Sequence, residues 1–302
     1  MRKAALLLIF LLLVVNVFAQ KSGWDKLQTD DGELAMLMPA GCYSNFYDHN
    51  GITVYEPDGR TVYQLTEMRL ISCYRDGALL NVEIYETAWA KAAAKVLREK
   101  LQINGDQLKL GKDFYAVGQV EEKADYTLER RLVASDRRVY LITAATRRAP
   151  NETMRTFLDS VQFADDYSAA EMDKNSVLIS SLENRVPEVV SEKDAADADK
   201  KTLVGDVPTE DDKTLKKIIV LSRPAPSYTS AARKNRTTGR LVLRLTFGTE
   251  GRITRLQVVR DLPNGLVREA VVAALRIKFL PEERSGKPQT VTKTVEYKFG
   301  IY

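Results

Sequence analysis

A single histidine, His49, stands in 302 residues, with only two cysteines, Cys42 and Cys73. That scarcity removes most of the side chains on which nucleophilic and metal-assisted catalysis is built. His49 sits in the turn-like stretch YDHNG, with no nucleophile or orienting partner spaced to join it, so it reads as a surface residue. No Gly-rich phosphate loop, CxxC pair or His/Cys ligand cluster appears, and no catalytic residue, cofactor or metal is assigned. Asp165 and Asp166 are adjacent in a polar stretch and cannot be divided into acid and base. Beyond the first twenty residues no apolar run is long enough to span a bilayer. The expected class is a binding protein, not an enzyme.

The first twenty residues, MRKAALLLIFLLLVVNVFAQ, have a basic start at Arg2 and Lys3, an uncharged apolar run, and small or β-branched residues at Val17 and Ala19. This is the layout of a secretory signal peptide cleaved after Ala19. The competing reading is an inner-membrane anchor through residues 4–19, a run shorter than the ~20 residues that span a bilayer. Export directs the chain to the periplasm and makes nucleic acid an unsuitable partner. In an oxidising compartment Cys42 and Cys73 could close a loop of about thirty residues, worth about 3 to 4 kcal/mol in the chain-entropy model. The alternative is two free buried thiols acting as small apolar groups.

Composition divides the remaining chain, about 283 residues, into three parts. Residues 20–163 alternate β-branched and aromatic runs with two helical patterns. The runs beginning at Ile52, Val62 and Leu79 read as strands, as do FYAVGQV, YTLERRLVA and RRVYLITAAT, the last two joined at SDRR. In TAWAKAAAKVLREKL, Trp89, Ala92, Ala93, Val96 and Leu97 make one helical face. NETMRTFLDSVQF starts at an N-cap, Asn151, and presents Met154, Phe157, Leu158 and Val161 on one side. This is an α+β domain with an antiparallel sheet. Its Met38-Pro39 pair, Arg-Arg-Val-Tyr strand and closing FLDSVQF helix resemble exported single-domain proteins of the PsbP and DcrB type, which implies a binding or scaffold module.

Residues 164–217 form the second part. From Ala164 to Lys213 fourteen acidic residues stand against six basic ones, and the segment reads as a disordered acidic linker with a short helix in SAAEMDKNSVLISSLENRV. The third part, 218–302, reverses the charge: from Thr214 onward there are eighteen Lys and Arg against six Asp and Glu. A short helix over Ser227–Asn235, capped at Ser227, precedes RLVLRLTF, which puts Leu241, Leu243, Leu245 and Phe247 on one face. A hairpin at GTEGR, the strand ITRLQVVRD, a helix after Gly265 and the strand VTKTVEYKF complete an α-β-β-α-β order. An antiparallel three-stranded sheet with this order needs its first strand in the middle, leaving the last strand on the edge.

The third part resembles the C-terminal domain of the TonB family over about 80 residues. The matching positions are Pro226, Tyr228, Ala232 and Arg233, then Gly239, Gly251, Gly265 with Leu266, Phe279 with Pro281, and Gly286-Lys287-Pro288. Departures are Thr229 in place of proline, Val267 in place of aspartate, Ile277 at a commonly aromatic position, and Gln289 in place of valine. The resemblance implies a domain that grips an extended motif of an outer-membrane TonB-dependent transporter, or of another envelope protein, by strand addition. The gripping edge would be Thr290, Val291, Thr292, Lys293, Thr294, Val295, Glu296, Tyr297, Lys298 and Phe299. Arg233, Arg240, Arg244 and Arg276 would steer an acidic partner, or form a solvated face. Family members also work with ExbB/ExbD-type motor proteins through a histidine-containing membrane anchor and a Pro-rich spacer. This chain has neither, so those partners enter only if the leader is retained. The alternative is a soluble periplasmic scaffold or ligand-binding protein whose main site lies in the N-terminal domain.

Overall fold

The computed structural model describes residues 23–55, 61–110, 113–164, 175–190 and 214–300. The leader and most of the acidic segment lie outside the described residues. The chain opens with a hairpin of β1 (Trp24–Gln28) and β2 (Leu34–Pro39), then β3 (Ser44–Asp48), a hairpin of β4 (Ile52–Tyr55) and β5 (Val62–Leu65), and the long pair β6 (Glu67–Arg75) and β7 (Ala78–Glu86). Helix α1 (Ala90–Lys100) leads to the short β8 (Asp106–Gln107) and to the meander β9 (Tyr115–Glu122), β10 (Thr127–Ala134) and β11 (Arg138–Thr146). Helix α2 (Glu152–Ser160) and β12 (Gln162–Phe163) follow.

These strands build a seven-stranded antiparallel sheet in the order β3-β6-β7-β11-β10-β9-β8. Its first face buries Ile71, Val82, Ile84, Tyr140 and Ile142 against α2 and the β1–β2 layer. Asn151 caps α2 by accepting from the Met154 amide at 2.9 Å, which turns Met154, Phe157 and Leu158 inward. The Cys42–Cys73 bond, with Cα atoms 5.4 Å apart, ties the loop before β3 to β6. α1 covers part of the second face with Ala90, Ala93, Ala94, Val96 and Leu97. Trp89 is not on that face: it precedes the first helical turn and is 67% exposed.

The stretch after residue 174 differs from the expected linker. β13 (Val177–Leu178) pairs in parallel with β1, a 3₁₀ turn over Ile179–Ser181 buries Ile179, and β14 (Glu188–Val190) runs on to a different sheet. The first part of the expected short helix lies outside the described residues; from residue 175 on, extended pieces and a 3₁₀ turn stand in its place, because this stretch finds sheet partners in β1 and in the strand Ile253–Arg260.

The C-terminal part begins with β15 (Leu215–Lys216) and β16 (Ile219–Ser222), then helix α3 (Ser230–Lys234), β17 (Gly239–Phe247), β18 (Ile253–Arg260) and helix α4 (Leu266–Leu275). The short strands β19 (Lys278–Leu280), β20 (Glu282–Arg284) and β21 (Lys287–Gln289) precede β22 (Val291–Phe299). β17 is central, with β18 and β22 antiparallel on either side, and β14 adds in parallel outside β18. The expected three-stranded sheet is therefore four-stranded. Leu241, Leu243, Leu245 and Phe247 alternate into a core with Leu266, Ala270, Ala274 and Phe279, and Phe279 meets Phe247 edge-on at 4.8 Å.

The second face of the large sheet is where the two parts meet. β7 points Leu79, Asn81, Glu83 and Tyr85 toward that face, and all four are buried. Leu280, Ile219 and Leu221 from the C-terminal part close over Leu79, Tyr74 and Ala145, while Val272 of α4 joins the cluster under α1. The tip of the β17–β18 hairpin comes so close that a Cβ on Gly251, at φ +73°, would lie 2.8 Å from Leu79. Glu83, with no exposure, accepts from Arg276 Nε at 2.9 Å and is held by Lys278 Nζ and the Tyr85 hydroxyl. Reciprocally, Glu283 of the C-terminal part accepts from the Tyr74 hydroxyl at 2.9 Å.

Candidate functional site

The last strand is positioned by the helix before the sheet. Thr229, where the resemblance anticipates proline, is the N-cap of α3: its Oγ1 accepts from the Ala232 amide at 3.0 Å and donates to the Asn264 carbonyl at 2.7 Å. The helix thus begins at Ser230 and not at Ser227, since Pro224 and Pro226 hold the preceding residues extended. Tyr228 donates to the Thr237 carbonyl at 2.5 Å and stacks on Phe299 at 6.2 Å, pinning the far end of β22 to α3.

β22 pairs with β17 from Gly239↔Phe299 to Phe247↔Val291. Its other side pairs with no strand among the described residues, whereas β18 on the opposite side of the sheet is paired with β14 over Arg255–Gln257. Arg223 donates to the Glu296 carbonyl and lies 4.9 Å over the Tyr297 ring. Carbonyls turned toward β17 already have ladder donors, so this contact marks Glu296 as a residue whose backbone groups face outward. By strand alternation Thr292, Thr294 and Lys298 face outward with it. The four present a row of amides and carbonyls along which an extended segment can add. Burial raises the Tyr297 phenol above its usual value, with Arg223 working against the rise.

The four arginines expected to steer a partner separate into two groups. Arg240 and Arg244 lie on the sheet face away from the core, beside the outward row of β22; Arg240 Nη1 is 3.6 Å from Glu296 and Arg244 Nη1 is 3.4 Å from Gln257. Arg233 lies over the Tyr228 ring at 5.5 Å. Arg276 does not steer anything: it is 8% exposed and bound to Glu83. The sequence could not separate it from the others because its partner is 193 residues away. Glu83 and Lys278 were likewise missed. The available signal was β7 itself, where Leu79 and Tyr85 share the phase of Asn81 and Glu83, an arrangement that suits a covered face more than a solvated one. His49 lies against Tyr47, with ring centroids 4.3 Å apart. Among the described residues no three His, Cys, Asp or Glu side chains gather to hold a metal, and no helix is long and apolar enough to cross a membrane.

Residues 224–301 match the family model described as Gram-negative bacterial TonB protein C-terminal. Among solved structures the chain is similar to the solution NMR structure of the Pseudomonas aeruginosa TonB CTD, at 28% identity and TM-score 0.25, over 30% of this chain and 91% of that one. It is also similar to a crystal structure from Bacteroides thetaiotaomicron VPI-5482, at 11% identity and TM-score 0.29, over 48% of this chain and 50% of that one. No curated protein matches the chain. Residues 224–301 are a TonB C-terminal domain.

Proposed function

We propose that this is a TonB-like protein of the periplasm whose C-terminal domain takes up an extended segment of an outer-membrane TonB-dependent transporter, or of another envelope protein, by strand addition on β22, in support of transport. The observation that carries this reading is the nine-residue β22, which among the described residues pairs with β17 on one side and with no strand on the other. Main-chain pairing supplies most of the contact, and Arg240 and Arg244 favour a segment bearing carboxylates on the outer face. The role is binding, not catalysis. ExbB/ExbD-type motor proteins belong to this reading only where the leader remains as an anchor. With the leader removed, the docked N-terminal part makes the protein a periplasmic scaffold that presents the same edge.

The test is a titration of full-length protein with an extended transporter peptide. Thr294→Pro, which removes an outward amide mid-strand and spares the ladder to β17, should abolish binding while leaving the fold intact. Undiminished binding in that variant overturns the proposal. N-terminal sequencing of the mature protein separates the two versions: Gln20 at its start selects the scaffold, and Met1 the anchored form.

A further inference from the structure

The segment that follows β16 touches β22 on the side where a partner strand would add. Residues 223–229 carry no regular structure, and Pro224 and Pro226 keep the start of the segment extended. It meets β22 at two points. Arg223 donates to the outward carbonyl of Glu296 and lies 4.9 Å over the Tyr297 ring, and Tyr228 stacks on Phe299 at 6.2 Å. Both contacts fall at the C-terminal end of β22, between Glu296 and Phe299.

This contact is not a strand pairing. A proline has no amide to donate, so the segment cannot build a ladder along β22 and reaches the edge through one guanidinium instead. Strand addition needs the same carbonyl, because an outward-facing residue of an edge strand offers its N–H and C=O together. The partner backbone would lie about 4.8 Å from β22, in the space that the guanidinium takes. Arg223 and an incoming strand therefore compete at Glu296.

The N-terminal part sets where Arg223 stands. Ile219 and Leu221 of β16 pack with Leu280 on Tyr74, Leu79, Leu128 and Ala145 of the large sheet. Arg147, next after β11, donates from Nη2 to the Lys217 carbonyl at 2.8 Å and to the Pro281 carbonyl at 2.7 Å, which grips the chain on both sides of the β16–β19 pair. Arg223 is the first residue after β16, so the seat of that strand fixes the root of its side chain.

We propose that Arg223 is a latch on the docking edge, set by the N-terminal part: while β16 is seated on the large sheet, the guanidinium blocks pairing at Glu296, and an incoming segment must displace it. The proposal rests on strand addition at β22 and supplies the regulation of that site. It gives the N-terminal sheet a part in docking, which is to hold the edge against segments too weak to dislodge the latch. Arg223 is exposed and makes a single charge-assisted hydrogen bond to the edge, so the latch is reversible.

The test is fluorescence anisotropy of the full-length protein with a labelled, uncharged peptide of Val and Thr residues, as long as β22. An uncharged peptide keeps the loss of positive charge at residue 223 from acting on affinity directly. Arg223→Ala is expected to bind it about three- to tenfold more tightly than the parent, the span of one hydrogen bond's net contribution. Arg147→Ala, which frees the Lys217 and Pro281 carbonyls, should shift affinity in the same direction, and the double variant should gain no more than Arg223→Ala alone, because both act on one contact. Should Arg147→Ala melt early, Leu221→Ala carries the same criterion. Unchanged or weaker binding by Arg223→Ala overturns the proposal. No gain from loosening β16, or a gain that adds to that of Arg223→Ala, overturns the part given to the N-terminal sheet. Thr294→Pro, measured alongside, separates the two readings. If it binds as the parent does, strand addition fails and the latch with it; if it loses binding while Arg223→Ala matches the parent, the latch alone fails.

Discussion

Replacing Glu83 by alanine should loosen the two parts of the molecule from each other without unfolding either. The carboxylate is fully buried, is the counter-charge of Arg276 and accepts from Lys278, and both partners are themselves almost entirely buried. Removing it leaves the Arg276 guanidinium without its counter-charge and Lys278 without its acceptor in a low-dielectric seam. Breaking a buried pair by deleting one partner costs about 3 to 5 kcal/mol, or roughly a 10²- to 10⁴-fold shift in the docking equilibrium, at about 1.4 kcal/mol per decade. The cost falls on docking because each part keeps its own core: Phe157, Tyr140 and Ile142 in one, Leu243, Phe247 and Phe279 in the other. Small-angle X-ray scattering should show a larger radius of gyration for Glu83→Ala, and proteolysis should cut earlier near residues 214–222. A triple replacement, Glu83→Leu with Arg276→Met and Lys278→Met, removes charge and counter-charge together and should restore the compact form, since apolar groups of similar volume often replace a buried ion pair without loss. The reasoning is refuted if Glu83→Ala scatters and digests as the parent does, or if the triple variant is as loose as the single one.

Two further expectations concern stability. Burial takes Lys278 from its usual 10.5 down to about 7. Between those values the unfolded chain holds a proton that the folded chain has released, so this group makes stability rise with pH, by at most about 1.4 kcal/mol per unit. Denaturant titrations from pH 7 to 10 should show the rise flattened in Lys278→Met; an identical slope in parent and variant contradicts it. The disulfide Cys42–Cys73 spans a sequence separation of 31 residues and should contribute about 3 to 4 kcal/mol by constraining the unfolded chain. A paired Cys42→Ser/Cys73→Ser variant within 0.5 kcal/mol of the parent, roughly the scale of a surface change, would show that constraint to be absent.

Local features were the ones legible in the sequence. Asn151 caps α2 through an atom three residues along, and the Leu241–Phe247 alternation marks the core face of β17; both signals lie within a few residues. The central place of β17 followed from connection geometry alone. What sequence reasoning missed depends on distant partners. β13 and β14, of two and three residues, are too short to carry a period, and they form only because β1 and β18 offer backbone partners. Arg276 reads as a steering residue, and Glu83 carries no signal of its own, until packing brings the two together. Thr229 looked like a departure from a pattern, and it supplies the cap that a proline could not.

The central claim, that β22 is a docking edge, is tested most directly by residue-resolved hydrogen exchange on the full-length protein with and without a saturating transporter peptide. The account predicts slowed exchange at the outward amides of Thr292, Thr294, Glu296 and Lys298, in alternation, with the amides that face β17 unchanged. Protection confined to β18 or the N-terminal sheet, or none at all on β22 with peptide bound, would contradict it.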